Sequence, residues 1–184
     1  IGGQSAFLIN KNAGAVTVST QYKWIHKGNA NIQWFNDANG VPKSSAIKCL
    51  DDHCAQSHYV SGSRGLSHAW TTIQKVRLPA AGKYLVFANY RIRKDGDGGG
   101  FVKMKCKGQT KMLVENVATP SGANFYNYGG TQSFLIDGAA NEEVHCDYKI
   151  GHGGFFRWWN DANGVPTVIA VKVASANEMQ VPHR

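Results

Sequence analysis

The sequence predicts an all-β protein, an antiparallel two-sheet β-sandwich. Its 184 residues include 21 glycines and many Asn, Ser and Thr, with short apolar runs between them. This spacing is typical of sandwiches and barrels. Several runs alternate apolar and polar residues, as strands with one buried face do. There is no long helical stripe and no window of about 18 apolar residues that could span a membrane. We therefore expect one domain over residues 1–184.

The central part of the chain divides into strands separated by turns. Pro79–Gly82 predicts a turn that leads into a long strand ending near Tyr90, and the glycine-rich residues 95–100 predict a hairpin tip. Turns are also predicted at Lys107-Gly108-Gln109 and Asp137-Gly138. The remaining strands are predicted at residues 101–106, 110–114 and 131–136, around Cys146 and at residues 165–173.

One phrase occurs twice in this chain. Asn-Asp-Ala-Asn-Gly-Val-Pro stands at residues 36–42 and again at 160–166, within a weaker repeat of residues 22–48 and 148–172. Asn-Gly tolerates positive φ and Val-Pro restarts an extended segment, so each copy predicts strand, tight turn, strand. The predicted turn residues are Asn36, Asp37, Asn39 and Gly40 in the first copy and Asn160, Asp161, Asn163 and Gly164 in the second.

Calcium is the functional alternative for this phrase. Asp37, Asn39 and Gly40 resemble part of an EF-hand loop. Such a loop needs further oxygen ligands and a distal Glu, which the following residues do not supply. The structural turn is therefore favoured, and no metal or other cofactor is predicted.

Four cysteines favour a secreted, disulfide-bonded protein. Cys49 and Cys54 enclose a short loop, whereas Cys106 and Cys146 each fall on the apolar phase of a predicted strand and could pair across the core. Two disulfides, Cys49–Cys54 and Cys106–Cys146, are therefore predicted. The alternative is that these cysteines are small buried thiols. A start at Ile1 without a charged and apolar leader suggests a processed precursor and agrees with an extracellular location.

The central segment resembles the C1q/TNF-like jelly roll over about residues 70–173. Pro79-Ala80-Ala81-Gly82-Lys83-Tyr84-Leu85-Val86-Phe87 is similar to a phrase that begins a central strand in that family. The Lys107-Gly108 turn and the aromatic lead from Tyr126 also match its pattern. The resemblance implies a jelly-roll sandwich that is non-catalytic, extracellular and frequently trimeric. It also implies that the first and last strands are neighbours in one sheet.

The charge distribution predicts contact with a polyanion. The chain has 20 Lys and Arg against 12 Asp and Glu, a formal net charge of +8. If the strands on either side of residues 95–100 pair, five cations share one face, which would attract a sulfated glycan, an anionic membrane or a mineral surface more than nucleic acid. The alternative is that these lysines only guard a strand against edge pairing. The five are Arg91, Arg93, Lys103, Lys105 and Lys107.

Two other interpretations concern carbohydrate and catalysis. Trp34, Trp158 and Trp159 could stack on sugar rings, although at least one aromatic of each pair is expected in the core. A hydrolase could use the histidine-rich stretch around His53 and His68.

The sequence therefore predicts a secreted, non-catalytic structural or matrix protein that assembles with itself and engages an anionic polymer or mineral surface. A C1q-like soluble lectin is the first alternative. A hydrolase that uses His53, His58 and His68 is the second.

Overall fold

The computed structural model describes residues 54–58, 63–95, 99–114, 125–151, 155–158 and 166–174, all within one compact unit. These residues form strands joined by turns, and none of them is helical, so none belongs to a helix that could cross a membrane. The strands are β1 (Cys54–His58), β2 (Arg64–Gly65), β3 (Thr71–Arg77), β4 (Gly82–Asp95), β5 (Val102–Cys106), β6 (Gln109–Val114), β7 (Phe125–Gly138), β8 (Glu143–Ile150), β9 (Phe155–Trp158) and β10 (Thr167–Ala174). The prediction of a single domain over residues 1–184 extends beyond the described residues and stays a prediction.

The strands form two antiparallel sheets in jelly-roll order. In the first sheet β1 pairs with β10, β10 with β4, and β4 with β7 on its other edge, while β9 and β2 extend the sheet. The second sheet has the order β3-β8-β5-β6. The predicted all-β jelly-roll sandwich is confirmed. The first and last of the described strands, β1 and β10, are neighbours, whereas the prediction for the whole chain extends to residues outside the described ranges.

The hydrophobic core lies between the sheets, as the period of two in the sequence requires. Buried and half-buried residues alternate along β4, β5 and β8. Tyr148 of β8 and Trp158 of β9 are both fully buried and meet edge to face, with ring centroids 4.9 Å apart. Gln74 of β3 is buried too, and its Nε2 donates to the carbonyl oxygen of Asn89 in β4 at 2.9 Å. These contacts hold the two sheets together.

The second copy of the repeated phrase does not join a hairpin. The strands β9 and β10 flank it, and both run antiparallel to β4 along the same edge, so the chain keeps its direction between them. Trp158 and Val168 are ten residues apart, whereas their partners on β4, Ile92 and Ala88, are four apart. The strands predicted on both sides of the phrase are present, but they pair with β4 and not with each other. The turn itself lies outside the described residues and stays a prediction.

Local turns agree more closely with the sequence. Lys107 and Gly108 have φ values of 43° and 83°, as a tight turn between β5 and β6 requires. The turn predicted at Asp137-Gly138 is displaced, since β7 continues to Gly138 and the positive φ of 61° falls at Asn141. Asn is one of the few residues that adopt such a φ without large strain.

Gly138→Ala is expected to lower the free energy of unfolding by about 1–3 kcal/mol. A Cβ atom at Gly138 would overlap Cδ1 of Leu78, which is fully buried. The matched control is Gly65→Ala in β2, because a Cβ there has no neighbour within 4 Å. Urea unfolding of both variants measures the difference, and equal stabilities would show that Leu78 can move aside without cost.

Candidate anion-binding face

The five predicted cations do not share a face. The strands β4 and β5 belong to different sheets, so the chain between them crosses from one sheet to the other. Arg91 and Arg93 alternate with the buried residues of β4, while Lys103 and Lys105 alternate with those of β5. The two pairs therefore lie on opposite outer faces of the sandwich. The predicted hairpin was wrong, because a glycine-rich segment can cross between sheets as well as close a hairpin.

The second sheet instead brings lysines of β5 and β8 together. Lys103 lies directly opposite Lys149, with both side chains on the outer face. Trp70, the residue before β3, lies beside them, and the Nζ atoms of Lys149 and Lys105 are 4.7 and 4.8 Å from the centre of its ring. Such positions allow cation–π attraction, which is about 0.5–1 kcal/mol at exposed sites. We call Trp70, Lys103, Lys105 and Lys149 the lysine face.

Neighbouring groups position two of these lysines. The Nζ of Lys105 is 3.4 Å from Oδ2 of Asp147, and Asp147 also accepts a hydrogen bond of 2.7 Å from Thr72. The Nζ of Lys103 lies 4.9 Å from the centre of the Phe101 ring. The Phe101 ring occupies the space that a Cβ at Gly151 would need, so only glycine fits opposite it.

The acidic residues of the described chain are already engaged. The described ranges contain fourteen Lys or Arg and five Asp or Glu. All five carboxylates lie in ion pairs, namely Asp95, Asp137, Glu142, Glu143 and Asp147. Lys103 and Lys149 have no ion pair with any of them. The like charges of this opposed pair repel each other, which is unfavourable for the sheet.

A shallow depression of about 230 Å³ adjoins the lysine face but has charges of both signs. The Nζ of Lys107 is 2.7 Å from Glu142, and this hydrogen bond, helped by the backbone N–H of Ala139, lowers the pKa of Glu142. Hydrogen bonds from His145 and then Lys75 lower the pKa of Glu143. Both carboxylates are thus held ionised. Glu142 neutralises Lys107, which was predicted to bind anions together with Lys103 and Lys105, while Glu143 pairs with Lys75.

The cysteines differ in part from the prediction. Cys54 is disulfide-bonded, and Cys49 lies outside the described residues. Cys106 and Cys146 are free, buried thiols, so the prediction of a disulfide between them was wrong. They do not face each other across the core, since they are direct partners on the neighbouring strands β5 and β8. Alternation gives the inward phase of both residues correctly, but it cannot tell whether two inward residues share a sheet.

Sugar stacking by Trp158 is excluded by its burial. Trp158 is 0% exposed and packs against Tyr148 in the core. Trp34 and Trp159 lie outside the described residues. The expectation that one aromatic of the pair packs in the core therefore holds for the second copy. Trp70 is a partly exposed aromatic residue that lies beside two lysines, and it was not among the predicted site residues.

The remaining predicted sites lie largely outside the described ranges. They include His53 and all eight predicted turn residues, among them the calcium candidates Asp37, Asn39 and Gly40. His58 ends β1, and His68 is exposed between β2 and β3. Among the described residues, no group of three or more His, Cys, Asp or Glu side chains could hold a metal ion.

Lys149 was not among the predicted site residues, although the sequence indicates on which side of its strand it lies. Alternation around Cys146 places Lys149 on the outer side of β8, together with His145 and Asp147. Its closeness to Lys103 depends on the pairing of β5 with β8, which brings together residues 46 positions apart. No local signal in the sequence predicts that register.

Comparison with known proteins adds a weak likeness in fold. No protein-family model and no curated protein matches the chain. Eiger TNF from S. frugiperda is 13% identical, with a TM-score of 0.41, over 72% of this chain and 97% of that one. Murine APRIL is 12% identical, with a TM-score of 0.33, over 65% and 98%. A carbohydrate-binding module of the Cellvibrio mixtus lichenase 5A is 15% identical, with a TM-score of 0.30, over 67% and 98%. The strand order is that of a jelly roll, and the resemblance to TNF-like proteins is one of fold alone.

Proposed function

We propose that this chain is a non-catalytic jelly-roll module that binds an anionic polymer through the lysine face. The observation that carries this proposal is the direct opposition of Lys103 and Lys149 across β5 and β8. Like charges in this position destabilise a sheet, and a bound sulfate or carboxylate group would remove that cost. The five described carboxylates cannot do so, because each already lies in another ion pair.

An extended polymer suits this face better than a small ligand. The cations are spread over β5 and β8, and the adjoining depression is shallow and contains carboxylates of its own. Small-molecule sites, by contrast, are usually concave and mostly apolar. Trp70 would offer a ring face to a sugar unit while Lys103 and Lys149 contact its acidic substituents. A sulfated or carboxylated polysaccharide combines both features, and an acidic mineral surface would share the electrostatic part.

Self-association and an extracellular location form the second part of the proposal. Leu135 and Val173 of the first sheet are 50% and 51% exposed, which favours contact with another copy. The disulfide at Cys54 suits an oxidising compartment. We expect a homo-oligomer, a trimer or a larger assembly, as in a matrix protein. The mass of the native particle measured by light scattering tests this part, and a monomer at all concentrations would contradict it.

The lectin alternative is favoured by one observation, the partly exposed ring of Trp70. A lectin would bind neutral sugars through this ring without the lysines. Comparing neutral and sulfated glycans on one array distinguishes the two functions, because binding that ignores sulfation would favour the lectin.

Replacing Lys103 and Lys149 by Gln is expected to weaken binding to heparin by roughly two- to thirtyfold, since each exposed charge contact contributes about 0.2–1 kcal/mol. The dependence of affinity on salt should become shallower, because fewer charges are screened. Trp70→Ala should weaken binding without changing that dependence. Calorimetric titration with heparin at low and at physiological salt measures the affinity and its dependence on salt. A silicate surface serves as a second anionic target.

The matched control removes two lysine charges that lie outside the lysine face. Lys83 pairs with Asp137 on the first sheet, and Lys172 lies in β10. Lys83→Gln with Lys172→Gln should leave heparin affinity within about twofold of the wild type, since neither residue belongs to the lysine face. Equal losses in both double variants would mean that net charge alone causes binding, and the proposed face would then be rejected.

A further inference from the structure

A row of four outward side chains crosses the second sheet. Met112 of β6 lies directly opposite Lys103 of β5, which in turn lies directly opposite Lys149 of β8. Trp70 precedes β3, the other neighbour of β8, and its ring centre is 4.7 Å from the Nζ of Lys149. The row thus has two cations in the middle and an apolar side chain at each end. We call Met112, Lys103, Lys149 and Trp70 the cross-strand row.

Both ends of the cross-strand row are accessible to a ligand. Met112 is 38% exposed, and Trp70 is partly exposed. Neighbouring strands are about 4.8 Å apart, so the three steps from Met112 to Trp70 span about 14 Å. An extended ligand that lies along the row therefore contacts both apolar ends and both ammonium groups at once.

The next outward positions on the same strands are already neutralised. Thr110 of β6 is opposite Lys105, and Lys105 is opposite Asp147, whose Oδ2 lies 3.4 Å from the Nζ of Lys105. Asp147 also accepts a hydrogen bond of 2.7 Å from Thr72 of β3. Farther along β8, Glu143 places a second carboxylate on this face. A polyanion that followed β5 and β8 would therefore leave the two central lysines and meet fixed negative charges.

The apolar ends of the row favour a polysaccharide over an inorganic polyanion. A sugar ring has apolar C–H faces between its polar substituents, and removing such faces from water is favourable. Trp70 offers a rigid aromatic surface for this contact, and Met112 offers a flexible, polarizable thioether. A phosphate chain has no apolar face, so it would gain only from the two lysines.

We infer that an acidic polysaccharide crosses the strands along the cross-strand row, with its acidic groups at the two lysines and its sugar faces on Met112 and Trp70. This inference rests on the proposed function of the lysine face. It adds a direction for the polymer and a contact residue, Met112, on a third strand. Lys105 then acts beside the row, where it neutralises Asp147.

Calorimetric titration with a heparin hexasaccharide at physiological salt tests the direction of the polymer. Met112→Glu places a carboxylate opposite Lys103 and should weaken binding by roughly five- to tenfold, because it pairs with this lysine and repels the ligand. Thr110→Glu adds the same charge on the same strand and face, but opposite Lys105. It should weaken binding by about twofold or less, since it lies outside the row. Circular dichroism checks that each variant folds.

Inorganic polyphosphate is the probe that lacks apolar faces. Met112→Ala should weaken binding of the heparin hexasaccharide by roughly two- to fourfold, because less apolar surface is removed from water. The same variant should bind polyphosphate as the wild type does. Thr110→Ala is the matched control and should change neither affinity.

The failure of this inference can be distinguished from that of the proposed function. Equal losses in Met112→Glu and Thr110→Glu, or an unchanged heparin affinity in Met112→Ala, would overturn the path along the row. The proposed function would stand in either case if Lys103→Gln with Lys149→Gln still weakened heparin binding. Unchanged binding in this double variant, or no binding by the wild type, would reject the lysine face and the inference with it.

Discussion

Trp158→Ala is expected to lower the free energy of unfolding by about 3–5 kcal/mol, the usual cost of removing a large buried aromatic side chain. Trp158 is 0% exposed, and its ring meets the Tyr148 ring of the other sheet at 4.9 Å and 61°. Truncation opens a cavity between the sheets and also removes this aromatic contact. Urea unfolding followed by circular dichroism measures the change.

Phe155→Ala is the matched control on the same strand. Phe155 lies three residues earlier in β9 and is 77% exposed, so its truncation should change stability by less than about 0.5 kcal/mol. If the two variants were equally stable, Trp158 would not be a core residue. Sugar stacking by Trp158 would then have to be considered again.

Raising the pH above about 10 is expected to unfold the protein through two buried groups, Tyr148 and Cys146. Burial raises the pKa of Tyr148 well above 10.0. The hydrogen bond with the Cys106 thiol, followed by burial, raises the pKa of Cys146 well above 9.0. The folded protein thus holds both protons more tightly than the unfolded chain does. The contribution of these two groups to the free energy of unfolding is fully present below about pH 9. It falls at higher pH, as the unfolded chain begins to lose these protons.

Tyr148→Phe with Cys146→Ala should make stability less dependent on pH in this range. A tenfold difference in proton affinity between the folded and unfolded chains corresponds to about 1.4 kcal/mol, so the slope of stability above pH 9 is a sensitive measure. The double variant should be less stable at neutral pH, because Tyr148 donates a hydrogen bond of 2.5 Å to Oε1 of the buried Gln74. The measurement needs a reductant and a thiol assay, since a disulfide would remove the contribution of Cys146. Identical slopes in both proteins would assign alkaline unfolding to other groups.

The local pattern of residues determined which way side chains point. Alternation alone places Lys103 and Lys105 outside and Cys106 and Cys146 inside, and the structure confirms each of these directions. The Lys107-Gly108 turn was equally readable, because positive φ is a property of one or two residues. The antiparallel sandwich followed from the same short-range signals, since alternating strands must bury their apolar faces against each other.

The tertiary structure alone decided which strands are neighbours. It separated Arg91 and Arg93 from the lysines, because β4 and β5 enter different sheets. It also brought Lys149 opposite Lys103 and buried Trp158 against Tyr148. Side-chain direction repeats every two residues and is set by the local backbone. Strand pairing depends on how the whole chain buries its apolar area, and that contribution is spread over residues far apart in the sequence.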